Sequence, residues 1–170
     1  MENETLKLFI NISRGRMYNH YLPKLLQSVQ SIKNEDLWEK EMESLNPIGS
    51  IVLHICEHIN RLTALYTNKN HEGFKSGIED YFPVPNLPKE RVTEIIQHSF
   101  DALDTELGNQ AVCSPIKIDI HNLFHLVEHT GYHLGQIVDR SKRLTNISYH
   151  FCQNGINERN LRLLIEGREF

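Results

Sequence analysis

Apolar positions recur along this chain with the period of a helix rather than that of a strand. Leu6, Phe9, Ile10 and Ser13, continued by Leu22, Leu25, Leu26, Val29 and Ile32, form a stripe that predicts a first helix over about residues 5–32. Pro23 falls inside it and should kink or interrupt it, because proline lacks a backbone donor and its ring clashes with the preceding turn. A short turn is expected over residues 35–38. Asn46 and Pro47 then read as a helix start, with asparagine as cap and proline at the first helical position. Ile48, Ile51, Ile55, Ile59 and Leu62 carry the stripe of this second helix, which should end near Tyr66.

The stretch that follows, over about residues 67–89, holds Gly73, Gly77, Pro83, Pro85 and Pro88, and no period survives in it. Loops of this length inside a compact domain often carry function. A third helix is expected from Pro88 to about Leu107, closed by Gly108 and Asn109, with Val92, Ile95, Ile96, Ser99, Phe100 and Leu103 on its inner side. Residues 113–120 suit a short strand or an extended linker. The fourth helix, residues 121–144, should bury Phe124, Val127, Leu134, Ile137 and Val138. An extended stretch over 148–152 and a short helix over 157–166 complete the chain. Four long helices with one long crossover predict an all-α four-helix bundle with a short C-terminal extension.

Composition narrows the class. With 170 residues, 39% hydrophobic and 24% charged, the chain suits one globular domain spanning 1–170. A net charge of −4 and the absence of a basic patch argue against nucleic acid as a partner. No apolar run is long enough for a membrane span, which takes about 20 residues. Cys56, Cys113 and Cys152 are odd in number and widely spaced, so neither a disulfide framework nor a zinc knuckle follows, and a reducing cytoplasm is expected.

The chemistry lies in the histidines. His121, His125, His129 and His133 succeed one another at four-residue steps, and His54 and His58 repeat that step on the second helix. Neighbours at this spacing lie one above another on a helix, so two imidazoles can chelate one ion. All four cannot share it, because each step drifts by about 40° around the axis. His129 and His133 are the favoured pair, lying deeper in the helix than His121 and His125. His54, beside the apolar stripe of the second helix, is the expected third ligand, with His58 in reserve. Three neutral imidazoles leave a divalent ion with open positions, the arrangement of a catalytic site; zinc, nickel or another borderline divalent ion fits such donors, and ligand type alone does not choose between them. Gly131 and Gly135 flank His133, each weakening the helix by about 1 kcal/mol relative to alanine, which predicts a close approach by a neighbouring helix or a substrate.

Two segments, HICEH (54–58) and HLVEH (125–129), spell the inverted zinc-protease motif. Two copies in one small domain argue against either being a peptidase site. Glu57 and Glu128 read better as ordinary helix-surface residues, although either can orient an imidazole. Gln136, one turn beyond His133, can orient a substrate or pack on a neighbour. Tyr132 can donate a hydrogen bond near the ion or pack. Tyr81 and Phe82, in the long loop, can cover the site. Cys56 reads as a small buried hydrophobe.

The segment HTGYHLGQI (129–137) resembles the H-x-x-x-H-x-G-Q-I signature of the DinB-like superfamily, which includes the bacillithiol-transferase-like and YfiT-like proteins. NPIGSIVLHI (46–55) is similar to that superfamily's second-helix motif, and the order of helices agrees over most of residues 1–144. The resemblance implies an up-down-down-up bundle, a divalent metal held by His54, His129 and His133, and a homodimer. It also implies a small-molecule substrate and reactions such as thiol-dependent S-transfer, isomerisation or hydrolysis, with a low-molecular-weight thiol as co-substrate. The tail from Thr145 has no counterpart in it. Two rival expectations use the same scaffold: a metal-binding protein without catalysis, and a dimeric interaction module whose histidines bind nothing.

Overall fold

The computed structural model describes residues 2–67, 77–113 and 118–166, and they are all-helical, without a strand. Helix α1 spans Glu2–Gly15 and leads through a π-helical turn, Arg16–Tyr21, into α2, Leu22–Ser31. The turn is the molecule's answer to Pro23. The wider helix lets Leu22 N–H bond the Met17 carbonyl, five residues back, and Pro23 then enters the first turn of α2, where no donor is needed. The helical run continues to Ser31 instead of breaking.

Helix α3 is Ile48–Thr67, one residue later than the expected start, with the Pro47 carbonyl accepting from Ile51 N–H at 3.1 Å. Its first turn carries Gly49 because Trp38 lies on it: a Cβ there would sit 2.7 Å from the indole ring. Trp38 Nε1 donates to the Leu87 carbonyl at 2.8 Å, which ties the end of the long crossover to this corner.

Helix α4 runs Lys89–Val112, past the expected stop at Gly108. Gly108 stays in the helix, with ordinary van der Waals space above it at the Arg14 guanidinium, and that guanidinium clasps Asp104 with two hydrogen bonds of 2.6 and 2.8 Å. Cys113 is extended, and most of the expected strand or linker at 113–120 lies outside the described residues. Helix α5 spans Ile120–Thr145. Asp119 caps it by accepting from Asn122 N–H at 3.1 Å, and Asn146 closes it in a left-handed conformation. Helix α6, Glu158–Glu166, rests on α1, with Leu161 buried.

Helix α3 packs on α4 and α5, α1 on α4, and α2 on both α4 and α5. They enclose one core that includes Ile10, Leu25, Val29, Ile55, Ile59, Ile96, Phe100, Leu103, Leu126 and Ile137. Each such side chain removed from water contributes about 1.5–3 kcal/mol before the cost of ordering it. On α5 the buried line is Leu123, Leu126, Thr130, Leu134 and Ile137. Phe124, expected inside, is 55% exposed because it falls one position off that line, and Val127 and Val138 pack at its edge. No described helix is long and apolar enough to cross a membrane.

Candidate metal centre

Helices α3 and α5 meet face to face, and their facing turns carry the histidines. His54 and His58 come from α3; His129 and His133 come from α5. All four are buried, at 1%, 2%, 9% and 8% exposure. His54 Nε2 lies 3.0 Å from His129 Nε2. The ring of His133 is centred 4.5 Å from that of His129 and 5.0 Å from that of His54. The three expected side chains are thus neighbours by ring contact, but His133 is not among the residues whose ligand atoms converge on one point. His58 joins them, stacked on His129 at 4.0 Å.

Hydrogen bonds fix which nitrogens are free to act. A carbonyl oxygen can only accept, so the 3.0 Å contact of His54 Nδ1 with the Tyr81 carbonyl makes Nδ1 the protonated nitrogen. Nε2 of His54 is then a bare lone pair turned toward His129. His133 Nδ1 donates to Gln136 Oε1 at 2.9 Å, leaving its Nε2 bare in the same way. This is the outer support that metal-ligating histidines use to hold one tautomer and one ring orientation. Gln136 thus contacts His133 itself. Tyr132 is 66% exposed and meets His133 edge-on at 5.1 Å.

The crossover supplies the remaining pieces. The segment Ile78–Asp80 forms a single 3-10 turn, entered through Gly77 at φ 92°, a left-handed conformation that favours glycine. It delivers Glu79 to the mouth of the cluster, with Oε2 3.9 Å from His129 Nε2 and Oε1 3.7 Å from His125 Nε2. Phe82 stacks on His54 at 4.2 Å, so the loop does cover the histidines, through the Tyr81 carbonyl and the Phe82 ring. The Tyr81 side chain is exposed, and residues 68–76 of the loop lie outside the described residues.

The donor set fits a divalent ion. Ligand atoms of His54, His58, Glu79 and His129 all lie within 4.8 Å of one another. A zinc ion reaches nitrogen at about 2.0–2.1 Å, so donors further apart than about 4.2 Å must close in. Glu79, on an exposed turn, has room to do so. His129 supports the same conclusion. Its buried Nδ1 has no hydrogen-bond partner among the described residues in either tautomer, so only the Nε2 contact bears on the ion. If its Nε2 is bare, two lone pairs face each other at 3.0 Å, an arrangement that a shared cation relieves.

Burial keeps the imidazoles neutral. It pushes His58 and His129 down to about 3, the surrounding histidines adding to the effect. His54 and His133 are also lowered, chiefly by burial. Neutral imidazole is the metal-binding form.

The other candidates separate from this centre. Glu57 pairs with Arg61 at 2.7 Å along α3, and Glu128 is exposed, as expected of helix-surface residues. His121 is exposed, and His125 reaches only the rim. Cys56 is buried, and its thiol is pushed up to about 12 by burial, so it is no nucleophile. Gly131 does mark a close approach, since a Cβ there would meet the Tyr21 hydroxyl at 3.0 Å, whereas Gly135 faces open space. Glu79 escaped the sequence analysis. It stands in a stretch without a period, and only the glycine before its turn hints at a defined conformation.

No family model matches the chain, and the comparisons with curated proteins and with solved structures gave no significant match.

Proposed function

We propose that the chain is a divalent-metal-dependent enzyme built as a DinB-like four-helix bundle, with His54, His129 and His133 as the ligands. The observation that carries the proposal is the 3.0 Å approach of the His54 and His129 Nε2 atoms from separate helices, with the Tyr81 carbonyl dictating the tautomer of the first. A bound divalent ion with open positions would lower the pKa of a water or a low-molecular-weight thiol and make it nucleophilic at neutral pH. The protein's own part is to hold the imidazoles neutral and oriented. Gln136 fixes His133, Tyr81 fixes His54, and Phe82 keeps water from the His54 face. The proposal extends to a small-molecule electrophile, hydrolysed or transferred to a thiol, and to a homodimer working in the reducing cytoplasm, which the exposed thiols of Cys113 and Cys152 fit.

A second reading has its own support. His54, His58, His129 and Glu79 can close around an ion completely. A site with four protein ligands lacks the open position that catalysis needs and suits metal binding without turnover. Metal analysis of tag-free protein addresses both readings. About one equivalent of ion per chain is expected, lost in His129→Ala. Turnover of an electrophile with an added thiol then favours the enzyme, especially if Glu79→Gln retains both metal and activity. Protein without metal in either form defeats both.

A further inference from the structure

Beside the metal centre, an open cleft of about 410 Å³ runs along α5 from His133 and Phe82 to Arg140 and Arg143. We infer that this cleft binds a substrate carrying a carboxylate or similar anion, held by Arg140 and Arg143 at the end away from the histidines. The inference rests on the proposed metal chemistry at His133 and adds the substrate's class and length.

The arginine end shows unspent capacity. Arg140 is only 5% exposed. Its Nε donates to Glu41 at 2.9 Å and its Nη1 to the Asn46 carbonyl at 2.6 Å. Its Nη2 has no hydrogen-bond partner among the described residues. A buried cationic donor left unsatisfied is unfavourable; Nη2 is sealed from solvent, so the guanidinium must turn toward the cleft for an anion to supply the charge-assisted bond it lacks.

Arg143 is 58% exposed, with Nη2 3.0 Å from Asp139 and 3.6 Å from Glu41. The Asp139 contact is an exposed pair one turn apart on the helix, so a ligand carboxylate displaces it at little cost. The cleft is therefore lined by Arg140, Arg143 and Asp139, both guanidiniums also reach Glu41 outside that lining, and the Asp139 contact is the one readily exchanged.

Helix geometry sets a length. His133 and Arg140 lie on one helix seven positions apart, which is roughly 10 Å at about 1.5 Å per residue. A molecule reacting at the histidines and anchored at Arg140 is therefore extended, with its anion roughly that far from the reacting atom. A short molecule cannot engage both ends.

Suberate, a long linear dicarboxylate, probes this directly, with octanoate and succinate as controls. Isothermal titration of the zinc-loaded chain is expected to show suberate binding at least about tenfold more tightly than either control. Arg143→Gln should abolish that advantage while zinc content stays unchanged. Arg143 is the residue to change because Arg140 also ties the segment before α3 to α5. Equal affinities for the three acids, or an advantage that survives Arg143→Gln, overturns the inference. Zinc content measured on the same samples reports separately on the metal assignment. Should the chain take up no zinc, octanoate added to the metal-free protein must still shift the side-chain N–H resonances of Arg140 and Arg143. Unmoved resonances overturn the anion site as well.

Discussion

His133 shows how a single hydrogen bond prepares a ligand. Gln136 accepts from its Nδ1, so the opposite nitrogen is the one offered. Gln136→Leu removes that support without touching a ligand. We expect zinc affinity to fall by about 10- to 100-fold, read by competition against a chelating dye. An unchanged affinity would mean that His133 stands outside the coordination sphere and would favour the closed set with His58 and Glu79. The imidazoles themselves were legible from spacing, because a four-residue step on a helix has one geometric meaning. Their supports were legible only in part. Gln136 stands three residues beyond His133, but the sequence pointed it at a substrate or a neighbouring helix and not at the imidazole it holds; the Tyr81 carbonyl and the Glu79 carboxylate come from an aperiodic crossover, where sequence fixes no direction.

At the scale of the elements, three glycines separate packing from local propensity. Gly135 faces open space on α5, so Gly135→Ala should raise stability by about 0.5–1 kcal/mol through helix propensity. Gly49 touches the Trp38 ring, and Gly49→Ala should lower stability by about 1–3 kcal/mol, since the ring must move and its bond to Leu87 is strained. Thermal melts of the two variants should therefore shift in opposite directions. Gly131, against the Tyr21 hydroxyl, is the intermediate case. The long helices were legible because their stripes persist over many turns. Their details depended on partners no local pattern reveals. The helix survives Pro23 by widening into a π turn, α4 runs through Gly108 beside Arg14, and Phe124 is left outside by a register that the packing of α5 on α2 and α3 decides.

For the whole molecule, the buried histidines tie stability to pH. Their folded pKa values lie below the ordinary 6.5, reaching about 3 for His58 and His129. The unfolded chain therefore binds more protons below that ordinary value, and stability rises with pH there. The contribution is fully present above about 6.5 and is lost as pH falls from there toward about 3. Metal-free protein should accordingly melt at progressively lower temperature as pH falls from 7 to 5, and His129→Leu should flatten that dependence. A melting temperature independent of pH in this window would contradict the burial of neutral imidazoles.

One cation shared between α3 and α5 is the centre of the proposed chemistry. Anomalous diffraction at the metal's absorption edge, from crystals of tag-free protein, tests it most directly. The expected result is a single strong peak with Nε2 of both His54 and His129 at about 2.0–2.1 Å. A metal-supplemented crystal with no peak between those two nitrogens would contradict it.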